Sequence, residues 1–492
     1  MFLSHLWKRF SGSGIPLTFY NTLGRGKATF QLPPGVREVR MYNCGPTVYD
    51  VSHIGNLRSY VFADIVSRTL EYNGFRVKQV INITDFGHLS SDADAGQDKM
   101  STALKRAGMK LTLENMHELA EKFTAQFVED LQLLNIDTSR IQFPRASEHI
   151  QGEIALIKTL EEKGYAYRGK HGVYFDTSRF PDYGKLGDIN LAGLKEGARV
   201  ATDADKHHAT DFLLWKSDTK IGWDSPWGKG FPGWHIECSA MINATLGKQI
   251  DIHTGGIDLM PTHHNNEIAQ SESATGRRPL SRFWLHHEFL NLEDAKISKS
   301  AGNMINLSTL VEKGFHPLSY RYFLLGAHYR KPLNFTWEAL QAAEQAYLHI
   351  TYLLQKSDAA SKGHAVASYL RRFKERVNDD LDTAGGLAIL WELLKDARVV
   401  EGDRRATALD MDRVLGLNLA NPPKGVLRDA YLQYGAKEVV KDPPARVREL
   451  TEQREKARQE KDFKRADELR SRVHAAGFDI IDTPNGPKII KA

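Results

Sequence analysis

The chain has 492 residues, 41% of them hydrophobic and 26% charged, with a formal net charge of +5. That length predicts about three domains with ample material for a core, the balance is that of a soluble globular protein, and no apolar run approaches the ~18 residues of a membrane span. Its two cysteines exclude a disulfide framework and favour a reducing compartment, so a cytoplasmic protein is expected, while the mild positive charge permits an anionic partner without demanding one.

The opening MFLSHLWKRFSGSGIP places Lys8 and Arg9 ahead of no apolar run, so it reads as an extension or a surface turn rather than a secretory signal. VREVRMYN, residues 36–43, is rich in strand formers and breaks at Cys44-Gly45-Pro46. After HIGN at 53–56, LRSYVFADIVSRTLEYNG has apolar residues at helical spacing and predicts a helix capped at Gly74. VKQVINIT, residues 77–84, resumes a strand pattern. Strand, helix, strand implies a right-handed parallel βαβ unit, and so an α/β fold with a doubly wound sheet. Amphipathic helices over 113–136 and 146–164, then the turn-rich TSRFPDYGKLGD, read as an insertion. WDSPWGKGFPG, residues 223–233, connects back to a second βα segment that completes the sheet. Beyond Pro332, the runs WEALQAAEQAYLHITYLLQ, SYLRRFKERVNDDLD and LAILWELLKDARVV predict a helical bundle. Pro443-Pro444 marks a linker, followed by two charged helices and a hairpin turning at Asn485-Gly486.

Gly233 to Glu267 concentrates the reactive side chains. His263 and Glu267 are four apart and share one face of a helix. Cys238 lies in the same stretch, and the other cysteine, Cys44, sits in YNCGPT. Two thiolates, an imidazole and a carboxylate suit zinc, whose borderline softness accepts all three ligand types. His264, three residues before Glu267, is an equal candidate on spacing, and each cysteine alone reads equally as a small buried hydrophobe. HIGN at a strand-to-helix turn offers backbone N–H groups and a positive helix end to an anion such as a triphosphate. KISKS at 296–300 sets Lys296 and Lys299 in a short loop suited to a leaving pyrophosphate. Separately these two motifs are weak, since four residues recur by chance and a Lys/Ser loop is commonly just solvated.

Taken in order, CGPTVYD with HIGN, GWHIECSAM, DLMPTHHNNEIAQ, KISKS, HYRKPLNFTWEAL and the charged terminal helices resemble the cysteinyl-tRNA synthetases of class I over nearly the whole chain. The resemblance implies zinc ligands at Cys44, Cys238, His263 and Glu267, which selects His263 over His264. It implies a cysteine pocket with Thr84, Trp234 and Asp258, and ATP, with magnesium, served by His53, Asn56, Gly255, Lys296 and Lys299. Of these His53, Asn56, Lys296 and Lys299 would be catalytic. It implies a Rossmann catalytic domain in two halves, 15–130 and 229–275, around an insertion at 131–228. A stem-contact region with the KISKS loop (276–331), a tRNA-binding helical bundle (332–440) and a small anticodon-binding α/β domain (441–492) would follow. A monomer acting on cysteine, ATP and cysteine tRNA, with no membrane partner, is expected.

Three departures from the family pattern stand out: Asn56 ends the first motif where a second histidine is common, Ile297 replaces a methionine, and MPTHHNNE lacks both a proline directly before the histidines and an acidic residue between them and Glu267. Asn56 can donate a hydrogen bond but carries no charge. Two rivals are weighed against this reading. A cysteine ligase acting on an amino sugar would share the catalytic half, but a small acceptor needs no extension of some 160 residues after Pro332. A zinc-stabilised RNA-binding protein without catalysis would not need His53, Lys296 and Lys299.

Overall fold

The computed structural model describes residues 14–86, 99–187, 205–292, 295–296, 304–356, 363–434, 440, 442–460, 462–483 and 486–491. Five parallel strands form the central sheet: β1 (Glu38–Asn43), β2 (Arg76–Ile81), β3 (Ile141–Gln142), β4 (Ile250–Gly256) and β5 (Ser281–His287), in the spatial order β5-β4-β1-β2-β3. The chain runs outward from β1 through β2 to β3, then returns to the other side of β1 with β4 and β5. The reversal lies between β1 and β4, and in open α/β sheets a ligand crevice forms at such a point, beyond the carboxyl ends of the strands. Every residue of β4 is buried, as a parallel strand covered on both faces requires.

Helix α1 (Ile54–Tyr72) makes the crossover from β1 to β2. It starts where expected, with His53 as N-cap, its Nδ1 accepting from the N–H of Asn56 at 3.1 Å. Gly74, at φ +90°, ends it: its N–H donates to Glu71 O and that of Phe75 to Leu70 O, a left-handed stop that glycine adopts without strain.

The antiparallel sheet of Ala166–Arg168, Gly172–Phe175, Phe212–Ser217 and Gly230–Pro232 lies within or against the expected insertion. The short edge strand β3 also falls inside 131–228, and β5 inside 276–331. Beyond the sheet come Pro317–Leu325 and five bundle helices: Trp337–Lys356, Ala367–Asn378, Thr383–Lys395, Glu401–Leu415 and Lys424–Tyr434. The expected second run overshoots, because the helix stops at Asn378 and both Asp380 and Leu381 take φ +58°.

One continuous apolar core runs from Leu17 to Ala430, joining sheet and bundle. A second, small core (Val447, Leu450, Ala457, Ala466, Leu469, Val473, Ile480) belongs to the terminal unit of two helices, Ala445–Gln459 and Phe463–Ala475, and the hairpin Phe478–Thr483/Gly486–Lys491. Its turn residue Asn485 lies outside the described residues, and Gly486 opens the second strand. No described helix is long and apolar enough to cross a membrane.

Candidate active site

The site opens at the reversal point as a cavity of about 850 Å³, lined by the loop after β1, the first turn of α1, the end of β4 and a helix start at Trp234. Cys44 directly follows β1. Cys238 sits one turn into α2 (Trp234–Thr245), which places it beside Trp234 on the same face. His263 and His264 close a π-type turn, Met260–His264, that leads into α3 (Asn265–Thr275), where Glu267 occupies the first turn. The wider turn presents both histidines inward before the regular helix begins.

Cys44, Cys238, His263 and Glu267 place one donor atom each within 4.8 Å of one another, three of them fully buried. His263 Nε2 is 2.8 Å from Glu267 Oε1. The Cys44 thiol, hydrogen-bonded to Cys238, holds Cys238 down to about 6, against the opposing effects of burial and Glu267. Burial pushes Cys44 up. For His263 burial acts downward, but the Glu267 carboxylate and the Cys238 sulfur outweigh it and lift it to about 10. Burial likewise opposes the charge on Glu267, which His253 and His263 overcome to bring it to about 2. These directions favour a thiolate at Cys238 and a carboxylate at Glu267 facing a protonated His263 at the floor of the cavity. Such a set can exchange its proton for a soft divalent cation, and its two S, one N and one O donors fit zinc.

A second set, Cys44, His253, His264 and Glu267, overlaps the first within the same spacing. Here the alternative between the two adjacent histidines acquires a geometry: His264 Nε2 lies 3.3 Å from Cys44 Sγ, while its Nδ1 is 2.8 Å from His286 Nε2. His286 Nδ1 in turn meets Thr22 Oγ1 at 2.8 Å. Burial lowers His264 and His286, the latter to about 3, so neither competes as a cation. His253 stacks on the buried Trp284 at 4.4 Å and directs Nε2 to Glu267.

His53, Asn56, Gly255, Trp234 and Asp258 all line the cavity, and Trp234 stands 4.5 Å from the His263 ring. Thr84 does not line it: its hydroxyl donates to Glu237 Oε2 at 3.0 Å, buried behind the floor. Gly255 is packed from behind, since a Cβ there would fall 2.6 Å from His264 Cε1 and 3.0 Å from Leu259 Cδ1. Gly45 is tighter still, with the Asn82 carbonyl 1.6 Å from where a Cβ would sit. Lys299 lies outside the described residues, and of Lys296 only its place in the strand Ala295–Lys296 is described.

Sequence reasoning missed the helix Lys99–Arg106, whose residues Lys99, Thr102, Ala103 and Arg106 form a wall of the cavity. The apolar Met100, Ala103 and Leu104 at i, i+3 and i+4, all buried, were the available signal. It also missed His253, His286 and His287, the last 2.7 Å from Ser59 Oγ of α1 and lowered by burial to about 4.

Residues 32–345 match the family model described as the tRNA synthetases class I (C) catalytic domain. The chain is 44% identical over 481 residues to "Cysteine--tRNA ligase 1" of Burkholderia lata, covering 96% of this chain and 97% of the relative. It is 40% identical over 498 residues to the cysteine--tRNA ligase of Treponema denticola, covering 95% and 98%. The chain belongs to the cysteine--tRNA ligase family. Among solved structures, methionyl-tRNA synthetase of Mycobacterium tuberculosis in complex with methionyl-adenylate aligns with a TM-score of 0.53 and 16% identity over 83% of this chain and 95% of that one. At that identity the likeness shows the fold alone. The α/β architecture with a parallel sheet and a helical carboxyl-terminal region is therefore that of the class I synthetases, and the residues matched by the family model span the crevice and the site at its floor.

Proposed function

We propose that the protein activates cysteine with ATP, releasing pyrophosphate, and transfers the cysteinyl group to the 3′ end of cysteine tRNA. The observation that carries this reading is the meeting of Cys44, Cys238, His263 and Glu267 at the floor of a crevice whose rim holds His53 and Asn56. When bound there, zinc would supply selectivity, since a thiol binds it far better than a hydroxyl and so separates cysteine from serine where an apolar pocket could not. Trp234, Asp258 and Thr84 would surround the amino acid. Thr84 would take that part only by turning its hydroxyl away from Glu237.

His53, Asn56 and Gly255 would receive ATP at the positive end of α1, with Lys296 and Lys299 closing on the phosphates and magnesium accompanying them. Attack by the cysteine carboxylate on the α-phosphate requires no covalent nucleophile from the protein. The side chains act by holding the two substrates in line and by stabilising charge on the departing pyrophosphate. In the present conformation the His53 ring caps α1 through Nδ1, and the residue lines the cavity. The bundle and the terminal unit would contact the tRNA, and a cytoplasmic monomer completes the reading. A cysteine ligase for a small amino-sugar acceptor is not favoured, because the likeness to the tRNA ligases extends over at least 95% of this chain, bundle and tail included.

Pyrophosphate exchange with ATP, measured with and without cysteine and followed by charging of cysteine tRNA, tests the proposal. Cysteine-dependent exchange followed by charging is expected. Exchange without charging would point to the small-acceptor ligase, and no exchange to a binding protein.

A further inference from the structure

Arg321 is a fully buried arginine, at 0% exposure, in the helix Pro317–Leu325. Its guanidinium divides its donors among three separate parts of the chain. Nη2 donates to Asp64 Oδ2 of α1 at 2.5 Å, Nη1 to the carbonyl of Leu134 at 3.0 Å, and Nε to the carbonyl of Leu415, the last residue of a bundle helix, at 2.8 Å. Arg68 of α1 shares the same Asp64 oxygen at 2.7 Å and reaches Asn135 O at 2.6 Å. Asn135 then donates to Gly416 O at 2.9 Å. The turn that ends this bundle helix is thus held through two successive carbonyls by groups outside the bundle. Gly416 at φ +65° lets it come so close: a Cβ there would lie 2.4 Å from Arg321 Nη2.

The neighbouring Tyr320 grips the start of α1, whereas Asp64 lies at its middle. Its hydroxyl donates to the carbonyl of Ile54 at 2.7 Å, in the turn that presents Asn56 to the cavity, and Ile54 N–H donates to Ile305 O at 2.8 Å. Two consecutive residues of one helix therefore hold α1 at points ten residues, or about 15 Å, apart. A buried guanidinium is tolerated only with its donors satisfied, and the directionality of those bonds fixes orientation where apolar packing alone would fix only proximity.

We propose that Arg321, with Asp64, is a positioning residue that couples the helical bundle to the first turn of α1, so that docking of tRNA on the bundle is felt by the groups that handle ATP and the adenylate. The proposal rests on the reading that the bundle contacts tRNA. Arg321→Lys keeps a positive charge for Asp64 and loses the fork to Leu134 and Leu415. Gly416→Ala presses on the same guanidinium from the bundle side. Tyr347→Phe is the comparison: it removes a hydroxyl that donates to Leu417 O within the bundle and leaves α1 untouched.

Cysteine-dependent pyrophosphate exchange without tRNA, and charging with kcat separated from the KM for tRNA, are measured on folded protein checked by circular dichroism. In Arg321→Lys and Gly416→Ala we expect exchange to stay within about twofold while kcat for charging falls about tenfold, the scale of ordinary coupling between sites. Tyr347→Phe should alter neither. Should Arg321→Lys not fold, Asp64→Asn, which keeps an acceptor but removes the charge, carries the same expectation. A parallel fall in exchange and charging would mean that Arg321 only holds the fold together, and unchanged charging would mean that it couples nothing; either result overturns the proposal. Wild-type protein that exchanges but never charges tRNA would instead overturn the functional reading.

Discussion

His253 and Glu267 are joined by a 2.7 Å contact between His253 Nε2 and Glu267 Oε2, the oxygen opposite the one that faces His263. The carboxylate is thereby divided, with one oxygen left for the proposed zinc and the other anchored. Imidazoles and carboxylates just outside a ligand set commonly fix its orientation and basicity. We expect His253→Ala to weaken zinc binding by about 10–100-fold, read by competition with a chromogenic chelator. An unaltered affinity would remove His253 from the metal's support.

Cys238 is the more readily ionised of the two thiols, and the donor set places it opposite Glu267 and His263. Purified protein should carry about one zinc per chain, by the ligand count of a structural or substrate-binding site. Cys238→Ser should lower that content. Metal analysis of both proteins after dialysis against a mild chelator decides it, and equal stoichiometric zinc would contradict the assignment.

Lys299→Ala should slow cysteine-dependent pyrophosphate exchange by about 10²–10³, the usual cost of removing one group that acts on transition-state charge. Cysteine binding, followed by calorimetry, should survive, because that charge is needed little in the ground state. A variant exchanging at the normal rate would contradict the role given to the KISKS loop.

The terminal unit has its own core, whereas the bundle shares one with the sheet. A cut at Pro332 would remove Leu333–Phe335, leaving Leu290–Leu292 without that parallel partner and uncovering Phe323, whose ring packs on Phe335. A protein ending at Tyr434 avoids that damage. It should keep pyrophosphate exchange and lose most charging of cysteine tRNA, and full-length protein should bind that tRNA with a steep inverse dependence on salt. Full charging by the shortened protein would deny the terminal unit a part in reading tRNA.

Asp130 is 2% exposed, its Oδ1 accepts from Gln126 at 3.2 Å, and burial raises it from 3.8 to about 6. The unfolded chain therefore loses this proton at lower pH than the native one, and stability falls between about pH 4 and pH 6 as the buried group is forced to ionise. Asp130→Asn escapes that loss. Its melting temperature relative to wild type should rise from pH 4 to pH 7, followed by circular dichroism. A difference that does not change with pH would show that Asp130 does not titrate in this window.

The parts legible in the sequence were those whose signal is local. The start of α1 after HIGN and its stop at Gly74 follow from a cap, a periodic apolar face and a glycine. The four expected zinc ligands came from motif resemblance, and the structure places them together. What escaped depends on distant strands. His286 reaches His264 only because β5 pairs with β4, and nothing near either residue records that pairing. The bundle helix Glu401–Leu415 escaped for another reason: its buried face is Thr407, Ala408, Met411, Val414 and Leu415, and a threonine and an alanine give the periodicity little contrast. Thr84 carried the right motif, yet its hydroxyl is directed to Glu237, which only the packing of α2 behind β2 could reveal.

Gly255 deserves a different kind of reading when variants are made. It lines the cavity, so an alanine there that impaired ATP use would invite the conclusion that nucleotide had been crowded out from the front. The crowding begins at the back, because the added methyl meets His264 before it meets any substrate. Displacing that ring strains its contact with Cys44, so the same substitution would reach the amino-acid end of the crevice and present a fault in cysteine selection under the guise of a fault in ATP binding.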